Sequence, residues 1–475
     1  MIQKIIIIST ACLIIISTQV QVQAQEQALT QVQEIFTLEK CKEMALKNNV
    51  KAQNSQLSLE AAEQARKEAF TKYFPSLNSM AAGFRANKPM MSMEMDMSSM
   101  MQPMMEGLTP VMAWLMEQGA PLDPAAFSAS PQKMEMLKKG VIGIVTATQP
   151  VFAGGQIING NKLAKLGVEV ATLQKVMTDD EIALTVEQYY WQIVSLEEKT
   201  KTLAEAETLL NRVQTDVKNA VEAGLANRND LLKVELKQNE LESGKLSLAN
   251  GLQILKTVLA QFIGLPPGDF DIDKSLVEKV NISFNATVDH HVALSQRTEY
   301  QLLNKNVEAN ELMIKMETGK LLPTVAVGAA WNYMNFDKGG MMPMKNDFGM
   351  LFGTVSIPIT DWWGGSKAVK RQKIKAIIAQ NDKQNAEEML LIQMQQLLNA
   401  VEESGQQVQL ADKTIAAALE NLRLNTDYYQ AGTGLLTDLL DAQNTLQQAR
   451  DQRIEAVTSY CMNVAKYRQA TGYGY

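Results

Sequence analysis

The stretch Gln430-Ala-Gly-Thr-Gly-Leu-Leu-Thr-Asp-Leu-Leu-Asp-Ala-Gln443 lies between two long helical segments and contains a glycine-bearing turn. After the turn, Asp438 and Asp441 fall three residues apart, which places both carboxylates on one face of the following helix. A similar stretch, Glu222-Ala-Gly-Leu-Ala-Asn-Arg-Asn-Asp-Leu-Leu232, occurs 208 residues upstream. The repeat predicts that the chain is an internal duplication in which each half is built around one turn.

The first 24 residues have the composition of a secretory signal peptide. Lys4 supplies a basic start, an apolar run of about twelve residues follows, and Val22-Gln-Ala24 is a small-residue cleavage site. The mature chain then holds two cysteines, which excludes a disulfide-rich scaffold. The net charge is −7 with basic residues spread along helices, so nucleic acid is not expected as a partner.

Each half shows the same order: helix, strand, loop, strand, very long helix, turn and return helix. The first repeat is expected over residues 25–270 and the second over residues 271–475. Their opening helices are predicted at Phe36 to Tyr73 and Val288 to Gly319. Strands are predicted at 76–86, 141–151, 324–333 and 348–359, each bounded by proline or glycine.

The very long helices are predicted to start at Gly154-Gly155 and Gly364-Gly365. Their apolar residues recur every seven positions, which favours coiled-coil packing. The first series is Ile182, Tyr189, Leu196, Leu203, Leu210 and Val217, and the second is Met394, Val401, Val408, Ile415 and Leu422.

Four strands of about ten residues have the length of tilted transmembrane strands. Four strands cannot close a barrel, and an open sheet edge is not tolerated in lipid. More than one copy of the chain must therefore contribute strands. The predicted fold class is mainly α with a transmembrane β-barrel, and the long helices continue the ring as a coiled-coil tube in water.

With these features in place, the chain resembles the TolC family of outer-membrane efflux factors from about Phe36 to Gly472. The resemblance rests on the duplicated plan, on the prolines that flank the strands, and above all on the stretch from Tyr429 to Ala442. The family pattern there is Tyr-x-Ala-Gly, five residues, then Asp-x-x-Asp-Ala. The resemblance implies a homotrimer with one 12-stranded barrel in outer-membrane lipid, four strands per chain, and a periplasmic helical tunnel. It also implies a periplasmic adaptor and an inner-membrane pump as partners.

The same resemblance implies roles for individual residues. Asp438 and Asp441 would form two acidic rings at the periplasmic aperture, and Tyr429 with Asp230 would form a latch between helical pairs. The adaptor-contact turns would involve Gly224, Leu225, Gly432, Gly434 and Leu435. The best-studied family member carries arginine where this chain has Gly434, so a latch that uses that arginine cannot exist here.

The loop at residues 87–140 is unusually rich in methionine. Met91, Met93, Met95 and Met97 alternate with polar residues, and thioethers are soft ligands that select Cu(I) or Ag(I). The favoured interpretation is that these adaptable side chains fill contacts among extracellular loops. A metal site, and with it a role in Cu(I)/Ag(I) efflux, is the alternative.

Three classes of function are compared by these features. A passive exit duct explains the signal peptide, strands and acidic turns, whereas a soluble coiled-coil scaffold leaves the strands unexplained. An enzyme is disfavoured because no nucleophile–base set, phosphate loop or metal-spaced His/Cys cluster occurs, and no cofactor is expected. Whether Cys41 and Cys461 form a disulfide, and which substrate is carried, stay open.

Overall fold

The protein is described by a computed structural model over residues 35–88, 91–95, 97–119, 132–136, 139–266, 270–273, 288–336 and 344–472. The predicted signal peptide lies outside these residues. In the first half the elements are β1 (Ile35–Phe36), α1 (Leu38–Asn48), α2 (Val50–Thr71), β2 (Ser76–Arg85), β3 (Met91–Met95), α3 (Met97–Glu117), β4 (Gln132–Met136), β5 (Lys139–Ala153), α4 (Gln156–Glu222) and α5 (Arg228–Ile263). They are followed by β6 (Asp271–Ile272), α6 (His290–Gln296), α7 (Thr298–Gly319), β7 (Thr324–Phe336), β8 (Met344–Ser356), α8 (Asp361–Gln430) and α9 (Leu436–Thr471).

The four predicted strands form one antiparallel sheet with the order β2-β5-β7-β8. The prediction placed a proline at the end of each inner strand, and the structure separates the two cases. Pro150 lies inside β5, where the register shifts before Phe152, whereas β8 ends before Pro358. A residue without an N–H fits at such an irregularity but not within a regular ladder.

The opening helix of each half is broken, which corrects the prediction of continuous helices. The first breaks at Asn49, which has extended backbone, and the second at Arg297, which is also extended. These residues are separated by 248 positions, the same offset that separates Pro75 from Pro323. Because the breaks are equivalent, they belong to the repeated plan.

Side chains at the breaks explain why the helices stop. Asn49 Nδ2 donates to the carbonyl of Phe262 at 3.1 Å, and Asn48 Nδ2 donates to that of Ile263 at 2.9 Å. Both bonds satisfy carbonyls at the end of α5 that lack partners within that helix. Arg297 is buried and its guanidinium donates to Glu299 and to Gln393, 3.0 Å away.

The long helices confirm the seven-residue pattern. α4 has 67 residues and α8 has 70, and their heptad positions include the fully buried Leu210, Val217 and Val408. One boundary differs, because α8 starts at Asp361 and includes Gly364 and Gly365. A Cβ at Gly365 would lie 2.1 Å from Leu321 Cδ2, so close packing rather than helix initiation requires this glycine.

The chain divides into two compact units, each drawn from both halves of the sequence. One comprises residues 1–63, 166–308 and 377–475, and the other comprises residues 64–165 and 309–376. The first unit holds most of the helical core and the second holds the four-stranded sheet. Among the described helices, α5 is the one long and apolar enough to cross a membrane by length and composition, with an 18-residue window of mean hydropathy 1.2 that is 17% buried.

Candidate functional site

The two glycine turns, one at Gly224 and one at Gly432, have the same backbone conformation. Their φ angles are 72° and 73°, in the left-handed region that favours glycine. In the first turn the amide of Leu225 donates to the carbonyl of Ala220 at 2.8 Å. In the second the amide of Thr433 donates to the carbonyl of Tyr428 at 3.0 Å. Both are Schellman motifs, which close a helix by satisfying its last carbonyls.

The two turns meet at the same end of the first unit. They share one apolar cluster, called here the turn cluster, to which α4, α5 and α9 contribute buried side chains. Its buried members are Leu210, Val213, Val217, Val234, Leu436, Leu439 and Leu440. The sequence repeat predicted two similar turns, and the structure shows that they lie side by side.

Asp438 and Asp441 lie on the side of α9 that faces away from the turn cluster. Both are exposed, whereas their neighbours Leu439, Leu440 and Ala442 are buried. Within the described residues, no ion pair involves either carboxylate. The structure therefore confirms that the two acids share a helix face, and it leaves that face without compensating charge.

Asp230 occupies the equivalent position after the first turn but has a different environment. Its carboxylate lies 3.2 Å from Lys233 Nζ, with about a quarter of its side chain exposed. The corresponding acid in the first half is thus neutralised within its own helix. This difference separates Asp230 from the exposed pair in the second half.

Tyr429, the predicted partner of Asp230, is half-buried against the turn cluster. Burial raises the pKa of its phenol, and the carboxylates of Asp230 and then Asp216 raise it further. The predicted latch residues are therefore electrostatic neighbours. The sequence analysis missed Asp216, although its position next to the heptad residue Val217 and near the end of α4 was a usable signal.

The tips of both turns carry exposed leucines. Leu225 is 84% exposed and Leu435 is 67% exposed. Leu435 is also the N-cap of α9, a position where serine, threonine, asparagine or aspartate would accept a backbone hydrogen bond. Next to it, Gly434 lies so close to Tyr428 that an added Cβ would be 2.9 Å from Tyr428 Cβ. The second turn is therefore less favourable locally than its length requires.

The four-stranded sheet has one apolar and one more polar face. Residues paired across the strands share a face, and rows such as Leu77–Ala147–Ala329–Leu351 define the apolar one. That face also carries Val145, Val325, Val327, Trp331 and Val355. The other face carries Ser76, Asn78, Thr146, Thr148, Thr324, Thr354 and Ser356. Within the described residues, β2 and β8 each have one unpaired edge.

Exposed aromatic residues lie at the helix–strand junctions of the second unit. Phe70 makes edge contacts with Tyr73 and Phe74, with ring centroids 5.7 and 5.5 Å apart. Trp362 donates from Nε1 to the carbonyl of Leu321 at 3.0 Å, and its neighbour Trp363 is 84% exposed. Aromatic residues of this amphipathic kind are typical of a membrane–water interface.

The cysteines and histidines are parts of the helical packing. Cys41 and Cys461 are free thiols, and burial raises their pKa values to about 11 and about 12. His290 Nε2 lies 3.2 Å from Tyr467 Oη. Among the described residues, no group of three His, Cys, Asp or Glu side chains could hold a metal ion.

Comparison with known proteins agrees with this architecture. A family model described as "Outer membrane efflux protein" matches residues 291–473. Nodulation protein T of Rhizobium leguminosarum bv. trifolii is 25% identical over 272 residues, which cover 54% of this chain and 56% of that protein. The chain therefore matches only about half the length of this curated relative.

Solved structures share the fold over nearly the whole chain. The outer membrane protein VceC of Vibrio cholerae has a TM-score of 0.68 at 14% identity, over 92% of this chain and 96% of that one. The CmeC outer membrane channel of Campylobacter jejuni has a TM-score of 0.69 at 15% identity, over 92% and 86%. Together with the family match, they confirm the predicted family, the outer-membrane location and a transport rather than an enzymatic role.

Proposed function

The chain belongs to the outer membrane efflux protein family, and we propose from this premise that it is the exit duct of a tripartite efflux or secretion system. Three copies would close a 12-stranded barrel from four strands each and continue it as a periplasmic tunnel of coiled coils. The duct would passively conduct substrates delivered by an inner-membrane pump and a periplasmic adaptor. Residues 1–24 would be the signal peptide, and 25–270 and 271–475 the two repeats.

The observation that carries this proposal is the sheet with its two unpaired edges. Its apolar face is suited to lipid, and its face of serine, threonine and asparagine is suited to a water-filled lumen. Unpaired backbone groups in hydrocarbon cost several kcal/mol each, so β8 of one copy would pair with β2 of the next. The exposed aromatic residues at the helix–strand junctions would then mark the periplasmic interface.

Disulfide cross-linking between the edge strands tests the closed ring. In a background with Cys41 and Cys461 replaced by alanine, Asn78→Cys in β2 is combined in turn with Met350→Cys, Phe352→Cys or Thr354→Cys in β8. β5 and β7 separate these strands within one chain, so a cross-link must join two copies. We expect one of the three pairs to yield linked dimers and trimers from outer membranes.

A matched control uses Asn78→Cys with Thr146→Cys, which are opposite one another within one chain. This pair is expected to form only an intramolecular bond. A monomer in the soluble periplasmic fraction, with no linkage at any of the three registers, would contradict the duct and favour the soluble coiled-coil scaffold.

The end with the two turns would be the periplasmic entrance. The exposed Asp438 and Asp441 of three copies would form two acidic rings around the aperture, where charge concentrates cations. Tyr429 and Asp230 would act as the latch that holds neighbouring helical pairs together. Support for the latch comes from the raised pKa of Tyr429, to which Asp230 contributes.

The exposed turn tips would be the adaptor contacts. Leu225 and Leu435 present apolar side chains to solvent next to the glycines of each turn, Gly224, Gly432 and Gly434. An exposed leucine at an N-cap contributes nothing to helix stability, so a binding role accounts for it better than a folding role. The exposed apolar residues of α5, including Leu246 and Ile254, would contact a neighbouring copy in the trimer.

A further inference from the structure

A two-stranded ribbon lies within the methionine-rich stretch between β2 and β5. β3 and β4 pair antiparallel, and Met91 lies opposite Met136. Two pairs further along, Met93 lies opposite Met134. Met95 continues the same face, because alternate residues of a strand share a face. One face of this five-pair ribbon therefore carries five methionines, called here the methionine face.

The other face of the ribbon is polar. Ser92 lies opposite Glu135, and Glu94 lies opposite Lys133, an opposite-charge pair that favours this register. A shift by one residue would mix methionines with charges on both faces, so the alternation specifies the pairing. The methionine face is thus a defined feature of the backbone and not only a matter of composition.

The choice of methionine needs a cause other than apolarity. On the apolar face of the large sheet, the corresponding positions hold residues such as Val145, Val327 and Leu351. β-branched residues favour strands, whereas methionine is flexible and specifies packing poorly. Thirteen of the chain's 27 methionines nevertheless lie between residues 90 and 136, and they fill every apolar position of the ribbon. The property these positions share is a thioether sulfur.

We propose that the methionine face binds a soft monovalent metal ion, Cu(I) or Ag(I). Opposite positions on an antiparallel ribbon have Cβ atoms about 5 Å apart, within reach of unbranched side chains with three rotatable bonds. The two cross-strand pairs offer up to four sulfurs for one ion, and thioethers select Cu(I) over harder cations. This site is a binding property that does not rest on the proposed duct.

The site differs from the one that the sequence suggested. Met97, grouped there with Met91, Met93 and Met95, begins α3 and lies outside the ribbon. Met134 and Met136, about 40 residues later, take part instead because the register brings them opposite β3. The metal would be cargo or signal, held in transit by ligands that exchange readily.

Competition titration on the purified full-length protein tests the proposal. Cu(I) is supplied anaerobically from a chromogenic Cu(I) chelator, and Ag(I), Zn(II) and Cu(II) are tested in parallel. The ribbon variant carries Met91→Leu, Met93→Leu, Met134→Leu and Met136→Leu, which keep the face apolar but remove its sulfurs. The matched control replaces Met101, Met104, Met105 and Met112 of α3 by leucine.

We expect the wild type and the α3 control to bind one Cu(I) or Ag(I) per chain, and neither Zn(II) nor Cu(II). The ribbon variant is expected to lose at least tenfold in affinity for both soft ions. X-ray absorption of the Cu(I) complex should show sulfur neighbours only. Equal affinity in the ribbon variant, or an equal loss in the α3 control, would overturn the site. Edge-strand cross-linking on the same preparations reports separately on the duct.

Discussion

The two turns are alike in backbone and different in chemistry. Gly224 and Gly432 adopt the same φ and close the same Schellman bonds. After the first turn, Asp230 is paired with Lys233, whereas Asp438 and Asp441 after the second are exposed without an ion pair in the described chain. The duplicated backbone thus fixes the geometry of both ends, while later divergence gave the second turn the exposed charge.

The largest expected effect comes from removing that charge. The double variant Asp438→Asn with Asp441→Asn neutralises six carboxylates in a trimer while keeping the side-chain shape. Because clustered charge raises local cation concentration by 10–10³, we expect block by divalent or trivalent cations to weaken on the order of hundredfold. Cation selectivity should fall as well. Single-channel recordings in planar bilayers measure both.

Asp230→Asn is the matched control for that experiment. Its carboxylate is already paired with Lys233, so the block constant should stay near the wild-type value even if gating changes. Unchanged selectivity and block in a folded Asp438/Asp441 double variant would place these residues off the conduction path.

A smaller effect tests the difference in tightness between the turns. Gly434 in the second turn corresponds to Ala226 in the first, at the offset of 208 residues. A Cβ at position 434 would approach Tyr428 within 2.9 Å, so Gly434→Ala forces a shift that we expect to cost about 1–3 kcal/mol. Ala226→Gly should cost only about 0.5–1 kcal/mol through backbone entropy. Thermal unfolding in detergent compares them, and equal costs would show that the turns are equally tight.

Much of this comparison could be predicted from the sequence, because it depends on local patterns. The 208-residue repeat, the positive-φ glycines and the heptads of α4 and α8 each follow from short-range rules. The helix breaks could not be predicted that way. Asn49 stops a helix because its side chain reaches Phe262, and Arg297 does so with Gln393 as a partner, both far away in sequence.

The same limit applies to the candidate sites. Tyr429 and Asp230 were named from the family resemblance, and Asp216 was missed because its proximity depends on how α4 packs. Met134 and Met136 were missed because only the register of the ribbon places them opposite β3. Sequence patterns therefore identify residues on one element, whereas sites shared between elements need the pairing.

The leucines at the turn tips give a next, smaller contrast in stability. Leu435→Ser supplies an N-cap acceptor for α9 and should stabilise the helical region by about 1 kcal/mol. Leu225→Ser is not at an N-cap and should leave stability within about 0.5 kcal/mol of wild type. Both should nevertheless reduce adaptor recovered by cross-linking in cells, because each removes an exposed apolar contact. A stabilised Leu435→Ser variant with undiminished adaptor recovery would assign that leucine no part in binding.

The smallest expected effect concerns Tyr429 and appears only at alkaline pH. Burial, then Asp230 and Asp216, raise the pKa of its phenol above the ordinary value of 10.0. A raised folded-state pKa gives stability that is fully present below pH 10 and is lost as the pH rises through the folded-state pKa. Tyr429→Phe lacks this loss, so the stability difference between wild type and variant should change above pH 10 in favour of the variant. Other buried tyrosines titrate in both proteins, and taking the difference removes their contribution. Tyr428→Phe, which keeps Tyr429, should follow the wild-type curve in chemical unfolding from pH 8 to 11. Parallel curves for wild type and Tyr429→Phe across that range would mean that the phenol is not held by its carboxylate neighbours, and the latch would lose its electrostatic support.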